Sequence, residues 1–112
     1  MSIHDHAHKL ARELANSSEY KELLKAREKI KDDPKTLEMV KDFRSKQFEL
    51  QASQLTGQED MKEKEEALEK LYGVISSNSA AREVLEAEYK FNKLYTDIQN
   101  ILNESIKDSM EW

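Results

Sequence analysis

Apolar residues recur every three or four positions along this chain, and the polar breaks between the runs divide it into five helical segments. In the first, about Ile3 to Ala15, the residues Ile3, Ala7, Leu10, Ala11 and Leu14 fall within roughly 100° of one helix face. The stretch NSSEY interrupts it, where Asn16 and Glu19 have capping-box spacing and Ala15 with Tyr20 suits a hydrophobic staple. A second helix, about Ser18 to Lys31, is expected to bury Tyr20, Leu23, Leu24 and Ile30. In KDDPK, Asp33 is a good N-cap and Pro34 sits at the first helical position, where its fixed φ helps and its missing N–H costs nothing. The third helix then runs to Leu55 or Thr56. Gly57 suits a sharp turn, and Thr56 with Glu59 repeats the capping-box spacing. A fourth ends near Ile75 with Met61, Leu68, Leu71, Tyr72 and Ile75 inward, and SSNS caps a fifth from about Ala80 to Lys107.

Two of these helices carry more apolar surface than a hairpin needs. Leu37, Val40, Phe43, Phe48, Leu50 and Leu55 spread over about 180° of the third helix. Val84, Leu85, Phe91, Leu94, Tyr95, Ile98, Ile101, Leu102 and Ile106 do the same on the fifth. Either the short N-terminal helices or a second subunit covers such faces; both are expected to contribute, with a monomeric bundle as the alternative. The expectation is therefore an all-α bundle of about five helices in a single domain, 1–112, that self-associates as a homodimer or higher homo-oligomer. Short helices over about 3–31 lie against a long hairpin over about 34–107, dominated by a long antiparallel helix pair. Phe43, Gln47, Leu50 and Gln54 on the third helix, with Phe91, Tyr95, Ile98 and Leu102 on the fifth, are the candidate interaction residues.

Composition narrows the function. Charged residues make up 37% of the 112, with two glycines and one proline, the profile of long helices with solvated faces. The absence of cysteine excludes disulfides, cysteine-ligated zinc and thiolate-held iron–sulfur clusters. There is no apolar run of about 18 residues and no leader-like N-terminus, so a cytoplasmic location without membrane attachment is expected. A net charge of -5 with no basic block disfavours direct nucleic-acid binding, although Lys35, Lys41, Arg44 and Lys46 mark one helix for that alternative.

The segment LANSSEYKELLKAREKIKDDPKTLEMVKDFRSKQFELQASQLTG combines a Ser-Glu-Tyr helix start, an acidic residue before proline and a long Phe/Gln-rich helix. With SSNSAAREVLEAEYKFNKLYTDIQNILNESI, which starts after a polar cap and carries the step Ala87-Glu88, it resembles the YlbF/YmcA-like family of small bacterial helical proteins. Its length is more similar to the YheA-type branch, and the resemblance covers about Ile3 to Ile106. It implies an all-helical fold, self-association and work as a non-enzymatic adaptor. Relatives so implied act in competence, sporulation and biofilm control, through a complex working with an RNA-degrading endonuclease. Cysteine-dependent cofactor chemistry does not carry over to a chain without cysteine, and the resemblance supplies no catalytic residue and no cofactor.

The motifs with chemical content are few. His4, His6 and His8 alternate, but on a helix His4 and His8 lie about 40° apart while His6 points about 160° from His8, so the three cannot converge on one ion. His4 with His8 is an i, i+4 pair that can ligate a metal, which keeps metal binding as a second alternative. EDMKEKEEALEK interleaves acids and lysines at spacings that pair on a solvated face. Gln47, Gln51 and Gln54 recur beside Arg44, where they set register or line a groove for a partner helix. Glu88 is placed to pair with Arg44 or Arg82, and Met110 and Trp112 are candidate anchors. Serines sit where caps belong, with no histidine placed to activate them, and the short connections form no pocket for paired carboxylates.

Overall fold

The computed structural model describes residues 2–57 and 61–110, the last three as backbone only. The chain forms α1 (Ile3–Ala15), α2 (Ser18–Ile30), α3 (Pro34–Thr56), α4 (Met61–Ile75) and α5 (Ser79–Met110), and the described residues contain no strand. The fold is all-α, as the periodicity requires.

Local chemistry explains where the helices begin and end. Ser2 caps α1 in a reciprocal box: its hydroxyl accepts from the Asp5 N–H and the Asp5 carboxylate accepts from the Ser2 N–H, both at 3.2 Å. Between α1 and α2 the expected cap moves by one residue. Ser17 caps α2, its hydroxyl accepting from the Tyr20 N–H at 3.2 Å, while Asn16 closes α1 by donating from Nδ2 to the Arg12 carbonyl at 2.9 Å. Asp33 caps α3 through Thr36 N–H with Pro34 following it, and Gly57 ends that helix in the left-handed region at φ 69°. The Thr56–Glu59 box lies outside the described residues.

The chain divides into two compact units, residues 1–25 with 86–112 and residues 26–85. In the second unit α3 and α4 pair antiparallel. Phe43 meets Tyr72 with ring centroids 5.8 Å apart, and Lys64 donates to the Ser53 hydroxyl farther along. The core gathers where the ends of four helices meet: Ala26 and Ile30, Val40 and Phe43, Ile75, and Ala81, Val84 and Leu85 are all buried. A polar clasp closes it. Thr36, 2% exposed, donates its hydroxyl to Asp33 Oδ2 at 2.6 Å and accepts from Asn78 Nδ2 at 3.0 Å. Asn78 Oδ1 in turn accepts the Ala81 N–H at 3.1 Å, so one side-chain chain joins the N-caps of α3 and α5.

The first unit holds α1, the first part of α2 and most of α5. Tyr20 packs on Phe91 at 5.3 Å and Phe91 on Tyr95 at 6.4 Å, while Lys90 approaches Glu22 at 3.9 Å. Leu23 and Ala87 are the buried apolar residues of this unit among those described. Leu24, expected inside, is exposed. It stands about 100° around α2 from Leu23, and Ala26, nearer the Leu23–Ile30 line, is buried instead.

Candidate functional site

The one buried hydroxyl–amine pair among the described residues is Ser53 with Lys64, an arrangement that elsewhere activates a nucleophile. Here Ser53 is 2% exposed in the α3–α4 seam, so no substrate reaches its oxygen, and the pair serves to hold the hairpin in register. His4, His6 and His8 are exposed on α1, and no group of three or more His, Asp or Glu among the described residues is placed to hold a metal ion. Asp33 is the one described group with a clearly displaced titration: the Thr36 hydroxyl and backbone N–H bonds hold its carboxyl below the usual value. That is the chemistry of a cap.

The basic residues of α3 do not make a uniform patch. An open depression on α3 is lined by Lys35, Glu38, Lys41 and Asp42 together with Leu71 of α4. Lys46 is paired to Asp42 at 3.0 Å. Alternating signs at this spacing cancel the field that a phosphate backbone would need.

What remains is surface with too much apolar character. On α3 the hairpin consumes one face: Phe43 is buried, and Leu50 is half-buried. A second face, about 120° away, carries Arg44, Phe48, Gln51 and Leu55, with Phe48 72% and Leu55 89% exposed. Gln47 and Gln54 lie between the two faces and are exposed. This second face is the surplus that the broad apolar distribution of α3 implied.

The first unit shows the larger surplus. α1 is the most sharply amphipathic of the five helices, yet it buries no residue. Ile3 is 84% exposed, and Leu10 is exposed as well. Along α5, Phe91, which packs on Tyr20, and Ile98 are half-buried, whereas Tyr95, Ile101, Leu102 and Ile106 are exposed, Leu102 to 56%. The structure therefore splits the eight candidate interaction residues. Phe43 is core, Leu50, Phe91 and Ile98 are half-buried, and Gln47, Gln54, Tyr95 and Leu102 face outward. Glu88 is half-buried, and Arg82 donates to the Ser76 carbonyl at 3.3 Å. Met110 and Trp112 lie outside the described side chains.

Residue spacing alone misses the Thr36–Asn78 clasp. Its sequence signal is two helix starts, DDPKT and SNSA, each with a short polar side chain able to reach across.

A small all-helical chain with exposed amphipathic faces and an apolar core closed by a polar clasp is the class defined by this arrangement. The comparisons agree with that class. Residues 3–107 match the family described as control of competence regulator ComK, YlbF/YmcA, and the chain belongs to that family. It is 41% identical over 108 residues to a UPF0342 protein of Desulfitobacterium hafniense, covering 96% of this chain and 87% of that protein. A UPF0342 protein of Symbiobacterium thermophilum is 43% identical over 104 residues, 93% of each chain. One from Bacillus licheniformis is 26% identical over 108 residues, covering 96% of this chain and 92% of that protein. No helix among the described residues is long and apolar enough to cross a membrane.

Proposed function

We propose that this protein is a non-enzymatic interaction module with a regulatory role, presenting one helical surface to a second copy of itself and another to a protein partner. The observation that carries the reading is the first unit, where an amphipathic α1 and the distal part of α5 share almost no buried core. Tyr95, Leu102 and Ile106 share one side of α5 and together leave exposed the equivalent of about one and a half whole side chains. At about 1.5–3 kcal/mol per large side chain, covering them in two copies contributes about 5–9 kcal/mol. That falls within the roughly 4–15 kcal/mol that association costs, so a homodimer is the arrangement expected to complete this unit.

The partner-facing role falls to the second face of α3. Arg44 and Gln51 interleave with Phe48 and Leu55 at alternating spacings of four and three, the pattern by which one helix reads another. Membership of a family described by control of a competence regulator supports regulation by protein contact. The experiment is an affinity capture from ribonuclease-treated lysate of the native organism, run with the wild-type chain and with Phe48→Glu. Phe48 is exposed, so Phe48→Glu retains helicity and self-association. A stoichiometric protein retained by the wild type and lost with Phe48→Glu bears out the reading. Recovery of the same proteins by both, or of the bait alone, contradicts the assignment of α3.

A further inference from the structure

On α5 the charges and the apolar residues are segregated in an unusual way. Between Asn92 and Ile106 the charged residues are Lys93, Asp97 and Glu104, and they fall within about 40° of one another on one side of the helix. On the opposite side lies an arc of about 100° formed by Asn92, Tyr95, Gln99, Leu102, Asn103 and Ile106. All six are exposed, and none is charged, in a chain where 37% of residues are charged. Among the described residues, no hydrogen bond engages the side-chain amides of Asn92, Gln99 and Asn103. Depletion of charge is what distinguishes the middle of a protein interface from ordinary surface.

We infer that this arc is the seat of a second copy of the same chain, with the two-fold axis passing close to Gln99. The inference rests on the self-association proposed above and adds the face, the symmetry and the residue at its centre. Three features choose a second copy over a foreign helix. An arc without charge does not repel itself, whereas a like-charged surface facing its own copy does. Each amide carries both donors and an acceptor, so Asn and Gln pair with their own kind. The arc also continues the apolar stripe of the unit whose core is incomplete, so one contact covers Tyr95, Leu102 and Ile106 in both copies. In a two-fold contact the same patch is used twice, and the residue at the patch centre meets its own counterpart. That residue is Gln99. Polar residues at such a seam set register, which assigns Gln99 the role of aligning the copies.

The chain lacks cysteine, so single cysteines report the contact without background. Gln99→Cys and Asp97→Cys are each made in the full chain and treated with a short bis-maleimide, alongside light-scattering mass measurement of the wild type. Both positions are exposed, so neither substitution disturbs the core. The expected result is a dimeric wild type, near-complete cross-linking of Gln99→Cys and at least tenfold less of Asp97→Cys, which lies about 160° around the helix. A dimeric wild type in which Gln99→Cys fails to cross-link overturns this face and leaves self-association standing. A monomeric wild type overturns both. As a second readout, Leu102→Glu raises the dissociation constant at least tenfold with unchanged helicity; an unaltered constant contradicts the inference.

Discussion

The clasp between Thr36 and Asn78 can be taken apart one side chain at a time. Thr36→Val keeps the shape of the side chain and removes its hydroxyl, which sits 2% exposed between the two helix caps. Asn78 Nδ2 then loses its partner at 3.0 Å in a part-buried position, and Asp33 Oδ2 loses its donor at 2.6 Å. A net hydrogen bond contributes about 0.5–1.5 kcal/mol, and leaving a buried donor unsatisfied costs about 1–3 kcal/mol. Thr36→Val should therefore destabilise the chain by about 1–3 kcal/mol. At about 4–8 °C per kcal/mol for a chain of this length, the thermal midpoint should drop by about 5–20 °C. Asn78→Ala removes both the clasp and the cap on Ala81 N–H, so it should cost at least about 1 kcal/mol more than the clasp alone. The double variant then isolates the coupling, expected at about 0.5–1.5 kcal/mol, because Thr36→Val has no clasp left to lose once Asn78 is gone. Urea unfolding followed by circular dichroism at fixed protein concentration measures all four corners of the cycle. Strict additivity of the two single substitutions, within about 0.3 kcal/mol, would refute the clasp as a coupled element.

Further outcomes follow from the same geometry. The Asp33 carboxyl titrates below its ordinary value because the Thr36 hydroxyl and backbone bond to its charged form, so its stabilisation is present above the unfolded value and is lost as pH falls through the lower folded value. Below about pH 4 the wild type should lose thermal stability more steeply than Asp33→Asn, and parallel pH profiles would contradict this. Gly57→Ala meets no neighbouring atom but holds an L-residue at φ 69°, so it should cost about 1–2 kcal/mol in urea unfolding. Gly57→Asn should cost less. The double variant His4→Ala/His8→Ala, and exhaustive chelation of the wild type, should leave mass, helicity and thermal midpoint unchanged; stoichiometric zinc in the purified protein would revive the metal alternative.

The helices were legible because their punctuation is chemical. Asp33-Pro34 and Gly57 mark α3 at both ends, and the Ile3–Leu14 stripe marks α1 without ambiguity. Burial was less legible, since periodicity says which residues share a face but not which face the chain itself covers. Leu24 and Ala26 exchange places on α2 for that reason: Ala26 lies nearer the Leu23–Ile30 line that the chain itself covers. On α3 and α5 the breadth of the apolar distribution was visible from residue types, but its division was not. Phe43 goes to the chain's own core while Phe48 stays outside, a distinction made by α4, whose register depends on Ser53, Lys64 and Tyr72. The candidate site divides in the same manner. Tyr95 and Leu102 remain available on α5, whereas Phe91 is engaged by Tyr20. The uncharged arc needed the structure, because the exposure of Asn92, Gln99 and Asn103 turns a helix-wheel pattern into a surface.

Self-association through α5 is tested by the mass of the full chain in solution, by sedimentation equilibrium from about 1 to 100 micromolar, beside Leu102→Glu/Ile106→Glu. Twice the 13.1 kDa chain mass is expected for the wild type, with a shift toward single chains for the double variant at equal helicity. A wild type at 13.1 kDa across the whole range, with the same cooperative unfolding as the variant, would contradict self-association.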